Sequence, residues 1–229
     1  MIATIPLMIA LLSPAQNTQS VLLRLNPGDG ARFQYRLRVE RLSEHRSGDL
    51  YFDCSVRQES PDDIMVTATI SKLVVNGKDR TAELRANSRN LTGSLGWNSL
   101  SARSGGETGM SIDPAMGPQL MDIVREAGLY FGFFLPGKVH VGSEWQGMTT
   151  ASGGCTSGRY KLAGFSADGR RVRLQVNNIR MYNGTQVGPM EMVVDLAHGV
   201  PTSVSYQFRE HGSNKLSRIT QTMTSSKWR

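Results

Sequence analysis

The chain has 229 residues, 39% of them hydrophobic and 20% charged, with 24 Gly, 9 Pro and 2 Cys. No window holds about 20 consecutive apolar residues, which excludes a spanning helix in the mature chain. The apolar fraction excludes a disordered chain, and two Cys exclude a disulfide-dense scaffold. What remains is a globular body large enough to bury roughly 70% of its unfolded surface. The balance of 26 Lys+Arg against 19 Asp+Glu gives +7, and Arg outnumbers Lys 20 to 6. Such a surface favours anionic partners in general, although the same charge spread over this length also serves ordinary solubility.

Met1 to Leu12 is uncharged and apolar, and Ser13-Pro14-Ala15 places small residues before Gln16. A hydrophobic run followed by a small-x-small site is the pattern of a secretory signal. It lacks the usual Lys or Arg at its start, which leaves a start further upstream open. The expected location is periplasmic or secreted.

From Phe33 onward the chain alternates with period two, the signal of half-buried strands. Phe33, Tyr35, Leu37 and Val39 share one face against Arg32, Gln34, Arg36, Arg38 and Glu40. Leu50, Phe52, Cys54 and Val56 repeat the pattern, as do Ile64, Val66, Ala68 and Ile70 before the hairpin dipeptide Asn76-Gly77. Ala86 to Gly109 is rich in Ser, Asn and Gly and reads as a long loop or weak hairpin.

Asp113-Pro114 and Pro118 then announce a helix. Over Gln119 to Tyr130, Leu120, Val124 and Ala127 form one stripe, with Asp122, Arg125 and Glu126 opposite. The run Tyr130–Leu135 that follows is strongly aromatic, and Pro136-Gly137 ends it. One reading packs this helix on the sheet as core; the other makes it a lid over an apolar cavity. Further alternation follows in Val172, Leu174 and Val176, in Met190, Met192, Val194 and Leu196, and in Val204, Tyr206 and Phe208. Leu216, Ile219 and Met223 are less regular. Ten or eleven strands linked by short turns form an antiparallel meander.

The expected organisation is a signal peptide over 1–15 and a single β-rich domain over 16–229. Its two meander halves, about 21–85 and 138–224, are joined by a loop-plus-helix segment at 86–137.

In an exporting compartment, Cys54 and Cys155 are expected to form a disulfide that joins the halves; two buried free thiols are the alternative. Nothing near either Cys supplies the base that a nucleophile needs. His45, His140, His198 and His211 are isolated, and His140 with Glu144 flanks Gly142 without making a metal pair. No phosphate loop, dinucleotide fingerprint or hydrolase motif occurs, so neither cofactor nor metal is expected. Trp145 reads as a strand anchor in the core. The Arg-rich strand face lacks interleaved aromatics, which argues against nucleic acid as a partner.

The stretch Leu23-Arg24-Leu25-Asn26-Pro27-Gly28-Asp29 followed by Phe33-Gln34-Tyr35 resembles the start of a group of uncharacterised exported bacterial β-rich proteins. Leu135-Pro136-Gly137-Lys138-Val139-His140-Val141-Gly142-Ser143-Glu144-Trp145 is similar to that group's mid-chain signature. Tyr160–Gly164 and Asp195–Pro201 fit its later strand and turn. The resemblance implies a curved antiparallel meander sheet, half-barrel or barrel-like, with one main amphipathic helix, distantly similar to bacterial lipoprotein carriers. It brings no catalytic residues, and the lipid-attachment Cys of that group is missing here.

The expected function is therefore non-enzymatic: binding of an apolar, lipid-like or amphipathic small molecule in a concave sheet under the helix. The expected lining is Leu120, Val124, Tyr130, Phe131, Phe133 and Phe134, with the abundant Met as adaptable apolar surface. The rival reading is a structural or envelope-interaction module without a small-molecule ligand; no protein partner is identified by the sequence.

Overall fold

The computed structural model of the protein describes residues 20–60, 63–84, 90–96, 129, 137–151, 154–180, 186–209 and 215–228. Among them run β1 (Ser20–Leu22), β2 (Arg32–Arg41), β3 (Arg46–Ser60), β4 (Asp63–Val75), β5 (Lys78–Asp79), β6 (Asn90–Gly96) and β7 (Lys138–His140). There follow β8 (Glu144–Ala151), β9 (Gly154–Phe165), β10 (Arg171–Arg180), β11 (Gln186–Val187), β12 (Met190–Asp195), β13 (Pro201–Arg209) and β14 (Leu216–Lys227).

Alternation in the sequence becomes alternation in burial. In β2, Phe33, Tyr35, Leu37 and Val39 are buried while Arg32 and Gln34 are exposed. The same holds for Leu50, Phe52, Cys54 and Val56 in β3 and for Met190, Met192 and Val194 in β12. All these side chains belong to one buried cluster, so a single face of the sheet carries the core. Large aromatics fill it: Phe33 meets Tyr35 edge to face at 5.5 Å, and Trp145 stacks on Tyr160 at 5.7 Å. The expectation that Trp145 anchors a strand in the core holds.

Twelve strands form one antiparallel sheet, and β1 pairs with β7 in a separate ribbon. The sheet runs β4-β3-β2-β14-β13-β12-β10-β9-β8, with β11 beside β10 and β13, and both β5 and β6 beside β4. Sequential strands are thus neighbours, as a meander requires. The first long strand also pairs with the last, Val39 opposite Ile219 and Leu37 opposite Gln221. This unites the two meanders and leaves the mid-chain strands β6 and β8 at the margins of an unclosed sheet.

At one end of the sheet, residues 23–31 form a strap. Asn26 N–H donates to His198 O at 2.8 Å, and Gly30 N–H donates to Val56 O at 2.9 Å. Its own Leu23, Leu25 and Ala31 are buried in the core. The strap therefore joins β1–β7, the β12–β13 turn and the start of β2.

Several expectations are modified. The Ser/Asn/Gly-rich stretch contains β6, which lies antiparallel on β4 with Thr67 opposite Thr92. The expected helix over Gln119–Tyr130 falls outside the described residues, apart from Leu129, which is buried in the core. Among the described residues the helical segment is a single turn at Thr81–Glu83. The expected Cys54–Cys155 bridge is not shown: Cys54 is a free buried thiol, and the backbones of the two cysteines stand on β3 and β9, which are not neighbours in the sheet.

Candidate functional site

At the end of the sheet away from the strap, β10 carries a bulge. Asn177 lies opposite Arg159 and Arg180 opposite Ser157, so Asn178 and Ile179 together face Gly158. Asn178 takes a φ of 54°, a conformation its short polar side chain tolerates. The extra residue shifts the apolar phase, so that Val176 and Ile179, three apart, are both buried. Gly158 is required beside them. A Cβ at this position would lie 2.6 Å from Val176 Cγ1 and 3.4 Å from Ile179 Cγ1.

On the opposite face, Gln146, Arg159 and Asn177 stand in register across β8, β9 and β10. Neighbouring strands lie about 4.8 Å apart, so the three make a short polar row. Together with Ser157 and Asn178 they line a cleft of about 910 Å³, open on one side. Ile179, Val187 and Pro189 supply its apolar part. This volume lies within the usual range for small-molecule sites. Bulges are frequent beside such sites because they re-aim side chains. Arg159 forms a long ion pair with Glu144 at 3.9 Å, and Lys161 approaches the same carboxylate at 3.7 Å. All three side chains are about half exposed, so these contacts contribute little to stability.

A second cluster fastens the strap. Asp195 Oδ2 accepts from His198 N–H at 3.1 Å and from the His198 ring Nδ1–H at 2.6 Å. The imidazole stacks on Trp228 at 4.0 Å, and Trp228 also meets Phe33 at 5.8 Å. This arrangement turns the chain from β12 to β13 and fixes the carbonyl that receives Asn26.

Tyr35 and Cys54 are titratable core groups with shifted pKa values. Tyr35 is fully buried and its hydroxyl donates to Pro201 O at 2.6 Å; burial, with the nearby Cys54, pushes its pKa well up, while the Gln221 side chain works the other way. Burial, followed by the charge of Asp53, likewise pushes the Cys54 thiol far above its usual value. The thiolate is the reactive form, so both burial and the raised pKa disfavour reaction at Cys54.

The lining expected from the sequence, Leu120, Val124, Tyr130, Phe131, Phe133 and Phe134, falls outside the described residues. The backbone of Cys155 lies in β9, opposite Thr150. His140 is exposed and its Nδ1 lies 3.1 Å from Ser143 Oγ, within its own turn. Among the described residues no group of three or more His, Cys, Asp or Glu could hold a metal ion. The cleft residues were not singled out by the sequence reading. Asn177-Asn178 followed by Ile179 in odd phase was the available signal, since a slipped phase marks a bulge.

No family model and no curated protein matches the chain. Among solved structures, the crystal structure of Rv2717c from M. tuberculosis aligns at TM-score 0.33 and 10% identity, covering 87% of this chain and 94% of that one. A de novo designed fluorescence-activating β-barrel aligns at TM-score 0.19 and 8% identity, covering 85% and 92%. Likeness this distant supports no statement about fold or function.

Proposed function

We propose that this is an exported, non-enzymatic binding protein that takes an amphipathic small molecule. The carrying observation is the cleft of about 910 Å³ at the β10 bulge, polar along Gln146–Arg159–Asn177 and apolar along Ile179, Val187 and Pro189. In this reading the sheet is a curved half-barrel. A core cluster drawn from nine strands of the large sheet is compatible with that shape, because side chains this deeply buried on one sheet face need cover and a sheet that curves on itself supplies it. The strap closes one end, and the ligand occupies the other. The secretory pattern of residues 1–15 supports export. Native mass spectrometry of protein purified from its exporting host tests this reading. A co-purifying adduct that is lost from a cleft-filling Ser157→Trp variant is expected; a clean mass, with no response to lipophilic dyes, would overturn it.

A second reading, an interaction module, is favoured by one observation. Phe33, Tyr35, Phe52 and Tyr160 are almost wholly buried and fill the inner face of β2, β3 and β9, leaving a packed interior there.

A further inference from the structure

From the charge pattern of the cleft we infer that its ligand carries an anionic head group, a carboxylate or phosphate, which is held by Arg159; the inference rests on the binding reading above. No carboxylate lines the cleft among the described residues, whereas Arg159 stands in the middle of the polar row. Its guanidinium offers five N–H donors in a fixed fork suited to carboxylate and phosphate oxygens. The contact with Glu144 at 3.9 Å is beyond hydrogen-bond reach, so those donors are not committed to Glu144. Glu144 divides between Arg159 and Lys161 and is itself about half exposed, so an arriving anion has a weakly held competitor to displace. Gln146 and Asn177 flank the guanidinium on the neighbouring strands, and Ser157 lies two residues away on the same strand. Each of these side chains can donate a hydrogen bond to the same group of oxygens. A neutral hydroxyl head would use the amides and leave the charge-assisted bonds unmade.

The test compares tetradecanoate with the neutral monoglyceride of the same chain, and acetate and inorganic phosphate as bare head groups, by calorimetric titration. Wild type is set beside Arg159→Gln and beside Arg57→Gln, a distant exposed arginine that pairs with Glu59. Tetradecanoate is expected to bind about tenfold more tightly than the monoglyceride, as one charge-assisted contact allows. Arg159→Gln should abolish that preference and Arg57→Gln should leave it intact. The preference should also shrink at high salt, because Arg159 is half exposed. Equal binding of the charged and neutral probes would overturn the anion inference and leave the cleft reading standing. Binding of acetate or phosphate as tight as that of tetradecanoate, and dependent on Arg159, would support anion recognition while removing the amphipathic reading. Failure of all four probes would overturn both.

Discussion

The carbonyl oxygen of Arg24 occupies the space that a Cβ on Gly199 would need: an added Cβ would lie 1.8 Å from it. Gly199 also has a φ of +66°. The strap therefore lies directly against the β12–β13 turn, and only glycine permits it. Gly199→Ala should destabilise the protein by about 2 kcal/mol or more, since both the left-handed backbone and the seat of the strap are lost. Gly169 has nearly the same φ, +68°, with nothing within 4 Å. Gly169→Ala should cost only about 1 kcal/mol. Urea denaturation of the two variants isolates the contribution of the strap; equal losses would show that the strap does not depend on this contact.

The bulge gives a second paired comparison. Gly158→Ala would force its methyl against Val176 and should cost about 1–3 kcal/mol by overpacking. Gly164→Ala, with open space around it, should be nearly neutral. Adding Val176→Ala to Gly158→Ala should give a total loss smaller than the sum of the single losses, because each change relieves the other. Additive losses in urea denaturation would contradict the packing described at the cleft wall.

Tyr35→Phe removes the hydroxyl that satisfies the Pro201 carbonyl in the core. The expected cost is about 1–3 kcal/mol, that of an unsatisfied buried acceptor. A neutral outcome in thermal denaturation would mean that water reaches this part of the core.

The pH dependence should fall away on both sides. The Thr81 hydroxyl and N–H hold Asp79 below its usual 3.8, and the Ser166 hydroxyl and Arg170 N–H do the same for Asp168. A folded pKa depressed in this way contributes stability above the unfolded value, which is lost as pH falls through the folded one. Tyr35 and Cys54 are shifted upward from 10.0 and 9.0. Their contribution is complete below those values and is lost as pH rises beyond them. Urea midpoints between about pH 3 and 11 should show a plateau with two declines. Stability that increases into alkali would contradict the burial of both groups.

Cys54 should also resist thiol reagents in the folded state and react once the chain is unfolded, without prior reduction. Thiol titration with and without denaturant reads this directly. A Cys54 that stays unreactive after denaturation under non-reducing conditions would restore the expected disulfide.

The strands were legible where a half-buried run keeps period two over seven or more residues, as Arg32–Glu40 and Ile64–Ile70 do. β6 was not, because Asn90–Gly96 contains two Gly and one Ser and so carries no apolar rhythm. The pairing of β2 with β14 leaves no local trace, since Tyr35 meets Met223 only through the whole topology. The cleft was hidden for the same reason. Gln146, Arg159 and Asn177 each look like an ordinary solvated strand position, and only non-local register brings them into one row. The bulge was the exception: Val176 and Ile179 break period two by themselves, as Ile70 and Leu73 do at the irregularity in β4.

The most direct test of the central claim is a ¹H–¹⁵N amide titration of the ¹⁵N-labelled protein with tetradecanoate. Saturable shifts should centre on Gln146, Arg159, Asn177 and Asn178, with Asn26, His198 and the strap unchanged. No saturable shift, or shifts centred on the strap instead, would contradict a binding site at the β10 bulge.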